Sequence, residues 1–244
     1  MINRGKGIHL GPEFLAHREW LMQNWKQGEH VLVTGGTGSG KSVLAKQLYD
    51  VRLARGGHVI VFYCKLRDDK TFLDEYQGWT IWNEFKRNAR TRDRRIILKV
   101  DSKGLTPRET LEKQREVFRD ALDNIADVGN WTVGYDEGYY FVERDFLNMS
   151  SDMAMQLILG RAAGVTNVVL SQRPAYLPLV VYGSATYAYT AMTKETTDRQ
   201  RLAQMSARES SPELFQRIAQ LEEHEFLWTP ARATVSSQVV NVAR

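Results

Sequence analysis

The chain has 244 residues, 43% of them apolar and 25% charged, with one cysteine and a formal charge of +4. A chain this long buries roughly 70–75% of its unfolded surface, which suits one α/β domain or one domain with a small appendage and excludes dependence on disulfide staples. So small a net charge says little about partners unless the cations cluster.

Residues 1–29 read as a helical lead-in. MINRGKGIHLGPEF lacks an apolar core and a cleavage site, and Pro12 to Lys26 predicts an amphipathic helix whose Phe14, Leu15, Trp20, Leu21 and Trp25 can pack on a core. The longest apolar stretches break well short of about 18 residues, so no membrane insertion is expected and the chain reads as soluble and intracellular. His30-Val31-Leu32-Val33-Thr34 is short, β-branched and apolar, as a buried strand is, and Ser42 to Ala54 carries apolar residues at helical spacing. Between them lies GGTGSGKS, Gly35 to Ser42, of the form G-x-x-x-x-G-K-[ST]. Its four fixed positions match by accident in roughly one chain of this length in a hundred, and the flanking strand and helix lower that further. The loop joins a strand end to a helix start, where first-turn amides lack partners and glycines let backbone wrap a polyphosphate. Gly35, Gly36, Thr37, Gly38, Ser39, Gly40, Lys41, Ser42 and Val43 are therefore the expected nucleotide cradle. Lys41 would reach the β and γ phosphates, and Ser42 would offer its hydroxyl to a magnesium ion.

A second strand is predicted at His58 to Tyr63, followed by Cys64 as a buried thiol. Trp79 to Trp82 and Arg95 to Val100 are shorter strand candidates around a basic insertion at about 83–103. Its FKRNARTRDRR run sets Lys86, Arg87, Arg90, Arg92, Arg94 and Arg95 against one acid, Asp93. Such a run is either a solvated surface loop or a field that a polyanion feels, and both readings stand. Thr106, Pro107 and Glu109 then write an N-cap, a first-position proline and a capping box for a helix running to near Asp127. Strands alternating with helices imply a parallel sheet covered on both faces.

Trp131 to Tyr135 is an apolar strand that ends in Asp136-Glu137. Two carboxylates at a buried strand end need a cation. Asp136 would hold the magnesium shell and Glu137 would orient or deprotonate the attacking water, the bland alternative being an acidic turn. Asn167 to Ser171 predicts a further strand ending in Gln172-Arg173-Pro174, with Gln172 able to read the γ phosphate or the water. A helix from Asp152 to Ala163 carries Arg161, whose guanidinium suits charge spreading over phosphate oxygens. If that helix runs towards the far end of the strand from Gln172, Arg161 serves a neighbouring subunit's nucleotide.

GRAAGVTNVVLSQRP, Gly160 to Pro174, and GGTGSGKSV, Gly35 to Val43, together resemble the FtsK/HerA superfamily of DNA-pumping ATPases. Tyr187 to Thr193 followed by Thr196-Thr197-Asp198-Arg199 resembles that family's late strand and helix start, so the likeness spans about Val31 to Trp228. The resemblance implies a RecA-like P-loop NTPase of the additional-strand type, with the Gln172 strand between the loop strand and the Asp136 strand. It implies a motor domain at 30–230 and a tail at 231–244. It also implies ATP and Mg2+, a pentameric or hexameric ring around double-stranded DNA, and Arg161 acting in trans. Where the family's second strand ends in Asp-Pro-Lys, Tyr63-Cys64-Lys65 keeps only the lysine. A bare motor of this kind resembles viral and phage genome-packaging ATPases, which implies host cytoplasm and docking on a capsid portal or vertex protein. In that setting the basic segment and Tyr139-Tyr140-Phe141 would face the channel, although such aromatics are more often core. The alternatives are a conjugation pump of the same superfamily, an assembly or secretion ATPase acting on protein, and a small-molecule kinase, for which the sequence marks neither lid nor acceptor pocket.

Overall fold

The computed structural model describes residues 12–87, 93–205, 210–230 and 237–242. Among them, nine strands form one sheet in the order β3-β4-β2-β5-β6-β1-β7-β8-β9. The ranges are β1 His30–Thr34, β2 His58–Phe62, β3 Thr80–Trp82, β4 Arg95–Leu98, β5 Trp131–Tyr135, β6 Thr166–Ser171, β7 Ala185–Ala191, β8 Glu225–Pro230 and β9 Gln238–Asn241. β3 through β7 run parallel, while β8 and β9 add antiparallel pairs at one edge. The Gln172 strand β6 lies between β1 and β5, as expected. β9 falls in the stretch set apart as a tail and pairs with β8.

Alternate strand residues feed two cores, because successive side chains leave opposite faces of the sheet. Val31, Val33, Val59, Val61, Val168 and Leu170 pack beneath α1 (Pro12–Asn24) and α2 (Lys41–Ala54). Leu32, Ile60, Phe62, Val133, Tyr135 and Val169 pack beneath α4 (Pro107–Val128), α5 (Gly138–Val142) and α6 (Ser150–Leu159). Phe14, Leu21 and Trp25 of the lead-in are buried, but Leu15, expected on the core face, is exposed. The capping box of α4 forms in full, with the Thr106 hydroxyl on the Glu109 amide and the Glu109 carboxylate on the Thr106 amide.

Two further expectations change. The helix drawn to Ala163 stops at Leu159, since Gly164 takes a positive φ of 68° and the Val165 amide turns back to the Gly160 carbonyl at 2.8 Å. Tyr140 and Phe141, offered to a channel, are buried in α5 beneath the sheet, while Tyr139 is half-buried. Cys64 is a buried free thiol. No helix among the described residues is long and apolar enough to cross a membrane.

Candidate active site

β1 delivers the chain into the glycine loop at the carboxyl end of the sheet, and α2 leaves it. Gly38 and Gly40 sit at φ 78° and 93°, left-handed backbone that side chains disfavour. Gly35 is required for space, because a Cβ there would stand 2.6 Å from Ser39 Oγ and 2.7 Å from the Ala191 methyl. Gly40 caps α2 with no side chain bonded to the first turn, so the leading amides of this 14-residue helix stay available to an anion. The Lys41 ammonium, 8% exposed, donates to the Gly36 carbonyl at 2.8 Å and folds back over the loop. Burial lowers its pKa, opposed by Glu137 and Asp136.

The register between β2 and β5, Phe62 opposite Tyr135, makes both strands release their next residues at the same end. Asp136 therefore meets Lys65, whose ammonium stands 3.6 Å from Asp136 Oδ2 and 2.5 Å from Asp69, the N-cap of α3 (Lys70–Glu75). Burial pushes the Asp136 carboxyl up to about 6, with Lys65 and Lys41 opposing. At 3.6 Å Lys65 forms an ion pair and no hydrogen bond, so Asp136 Oδ2 is buried without a partner. The Glu137 carboxylate takes the Tyr139 amide at 3.3 Å and the Gln172 amide at 3.4 Å. Burial raises its pKa against these amides and Lys41. Gly138 follows because a Cβ there would lie 2.6 Å from a Val169 methyl. Gln172 also accepts the Thr37 hydroxyl at 3.0 Å on its amide oxygen, linking the strand tip to the loop.

A magnesium ion fits this donor set. The Asp136 oxygen that accepts no hydrogen bond and the Ser42 hydroxyl are hard oxygen donors, the kind magnesium takes beside substrate phosphates.

A cleft of about 530 Å3 opens beside Gly36–Ser39 and Gln172, with Met192–Glu195 and Glu222–His224 forming its outer wall. Glu222 to His224 carry no motif, and Met192 and Thr193 end the stretch that resembles the family's late strand, with no role in the site expected from sequence. His224 has a positive φ of 67°, and its Nδ1 is buried without a partner. Arg173 also lines the cleft, steadied 3.6 Å from the buried Asp198 carboxylate and stacked 4.7 Å over Tyr176. The Asp198 carboxylate takes the Ala175 amide at 2.7 Å, which fixes the turn after Gln172.

The predicted residues divide between the two ends of the sheet. Lys41, Asp136, Glu137 and Gln172 converge at the carboxyl end. Arg161 is exposed in the turn after α6, before β6 begins, and so lies at the amino end, roughly 20 Å away along a six-residue strand. There a Cβ on Gly28 would stand 3.0 Å from the Arg161 carbonyl. Arg94 precedes β4 and Arg95 opens it, at this end too. Arg94 gives its guanidinium to the Leu53 and Gly57 carbonyls, Arg87 pairs with Asp127, and Lys86 and Arg95 are exposed. Arg90 and Arg92 fall outside the described residues.

A family model described as Nephrocystin 3, N-terminal, matches residues 11–123, under half of the chain. No curated protein matches the sequence. Among solved structures, B204, the DNA-packaging ATPase of Sulfolobus turreted icosahedral virus, superposes with a TM-score of 0.64 at 18% identity, over 90% of this chain and 100% of that one. The fold is that of the P-loop NTPases. The B204 of Sulfolobus turreted icosahedral virus 2, bound to ATP-gammaS, gives 0.61 at 19% identity over 88% and 98% of the two chains. The pCW3 conjugation coupling protein TcpA gives 0.51 at 14% identity, covering 89% of this chain and 60% of its own. These neighbours are a viral packaging NTPase and an FtsK/HerA-type coupling ATPase, the group that the sequence motifs resemble.

Proposed function

We propose that the chain hydrolyses ATP with Mg2+ and uses the energy to move double-stranded DNA, as a compact genome-packaging motor working in a homo-oligomeric ring. The observation that carries this reading is the convergence of Lys41, Asp136, Glu137 and Gln172 at one end of the sheet, with Arg161 exposed at the other. Glu137, its carboxylate raised by burial, accepts the proton of a water attacking the γ phosphorus while the bond to the β-phosphate oxygen breaks and ADP leaves. Lys41 and the first-turn amides of α2 hold the transferring phosphate. Ser42 and Asp136 would hold magnesium, which supplies charge neutralisation to the phosphates when bound. The Gln172 amide touches Glu137 while its side chain touches Thr37, so departure of the γ phosphate is felt at the strand tip. Arg161 cannot serve its own nucleotide from the far end of the sheet, so it serves the adjacent protomer's.

DNA contact falls to Lys86, Arg95 and their neighbours in the basic segment, which would read phosphates and not bases. A structural likeness to TcpA supports the conjugation pump as a second reading of the same chemistry. The test is ATP turnover with and without duplex DNA at two salt concentrations. Stimulation of several-fold at low salt, shrinking steeply at high salt, is expected for a motor that neutralises several phosphates. Turnover indifferent to DNA but raised by a protein partner would replace DNA with a protein substrate.

A further inference from the structure

Beyond its polar first turn, α6 carries apolar residues on both of its faces. Met153, Gln156 and Leu157 point into the core, and the opposite stripe carries Met155, Ile158 and Leu159 at 48, 63 and 61% exposure. A helix that is hydrophobic all round belongs in an interior, and an exposed apolar ridge marks a contact surface. The chain runs from this ridge directly into Arg161, also exposed. Arg161 is flanked by net positive charge, since Arg55 donates to the Trp25 carbonyl beside the same Gly28 turn and Lys26 is exposed within it, against the one carboxylate of Glu29. The wall of the nucleotide cleft has the complementary character. Glu195, Glu222 and Glu223 are exposed there against Lys194, with Arg173 across the cleft paired to Asp198, and Met192 offers an apolar contact at 39% exposure.

We infer that the outer stripe of α6, Met155, Ile158 and Leu159, docks against the acidic cleft wall of a second copy of this chain and so carries Arg161 to that copy's nucleotide. The seam is heterologous: the ridge of one protomer meets the cleft of the next, the geometry that closes into a ring. Apolar area supplies adhesion, and the opposed charges fix orientation. This rests on the trans reading of Arg161, and mixing experiments separate the two.

Lys41→Ala chains keep the ridge and the finger but lose the site, while Arg161→Ala chains keep the site but lose the finger. Their mixture should turn over ATP at least about tenfold faster than either alone. Ile158→Glu added to the Lys41→Ala chain, which donates the finger, should abolish that recovery. The same substitution added to the Arg161→Ala chain leaves the productive seam intact, because there that chain uses its cleft, and opens only the seam on its other side, so a measurable part of the recovery should remain. That second arm also reports on folding, since a misfolded receiver cannot hydrolyse. Recovery unaffected by Ile158→Glu in either chain would discard the α6 seam while keeping Arg161 in trans. Equal, complete loss in both chains would show a non-directional effect and overturn the seam as well. No recovery in the parent mixture, with the unmutated protein active, would remove both ideas. An unmutated chain that sediments as a monomer with an ATP analogue at every concentration overturns the seam directly.

Discussion

The two ends of the central sheet bury charge in opposite ways. At the amino end the Arg52 guanidinium, 2% exposed, gives hydrogen bonds to the Trp25 carbonyl at 3.1 Å, the Lys26 carbonyl at 2.6 Å and the Thr166 hydroxyl at 3.3 Å, and lies 3.6 Å over the Trp25 ring. Burial lowers its pKa to about 9, with Arg55 acting in the same direction. His30 likewise bonds the Leu157 carbonyl at 3.0 Å and the Asn167 amide at 3.1 Å. At the carboxyl end Lys41, Asp136 and Glu137 are gathered with fewer hydrogen bonds: Asp136 Oδ2 accepts none and faces only the Lys65 ammonium at 3.6 Å, whereas on Arg52 it is Nε alone that lacks a partner. Buried charge answered by its own chain is structural. Buried charge left short of partners is held ready for a ligand, at some cost to the empty protein.

That contrast sets the outcomes of substitution. The largest effect belongs to Glu137→Gln, which should cut ATP turnover by about 10²–10⁴-fold in a steady-state assay while leaving chemical denaturation of the nucleotide-free protein unchanged or slightly more resistant. Turnover near the unmutated rate would take the base away from Glu137, and a large loss of stability would make it structural. The reverse pattern is expected for Arg52→Met, which removes the buried guanidinium's hydrogen bonds to the Trp25 and Lys26 carbonyls and should cost about 2 kcal/mol in urea unfolding with nucleotide affinity unchanged. Weakened nucleotide binding there would mean that the two ends are not separable.

The smallest and most graded effect is on pH. Burial lowers the pKa of His17, which bonds the Tyr189 hydroxyl at 2.7 Å, to about 4, and burial does the same to His30 with Arg161 adding to it and the Leu157 carbonyl opposing. The unfolded chain takes up these protons near pH 6.5 and the native protein only near 4, so stability is complete above 6.5 and declines as pH falls through that window. Each histidine contributes a slope of about 1.4 kcal/mol per pH unit inside it. His17→Gln, which can still bond Tyr189, should remove one such slope when urea midpoints at pH 5 and pH 7 are compared. An unchanged slope would mean that His17 is already protonated in the native protein.

Much of this was legible along the chain. The glycine loop, the Thr106 and Glu109 cap and the apolar strands depend on neighbours within a few residues, where backbone conformation and local hydrogen bonds decide. The order β5-β6-β1 was implied by the family resemblance and is observed. The extent of α6 was not legible, because Gly160 and Gly164 act through a turn that competes with helix continuation. Leu15 was assigned to the core by spacing alone, and packing against β7 and β8 selected His17, Trp20 and Leu21 on the neighbouring face.

By itself, then, the sequence determined the local devices: a loop that can wrap phosphates, a strand ending in two acids, a glutamine at a strand tip. Only the tertiary structure decided that Lys65 would lie beside Asp136, that Gln172 would hold Thr37 from 135 residues away, and that Arg94 would turn its charge to backbone carbonyls. It also decided that α6 would leave an apolar stripe in water next to Arg161. The physical reason is that strand register and the direction of a parallel sheet bring distant residues to a common end, and neither is encoded in any short stretch of chain.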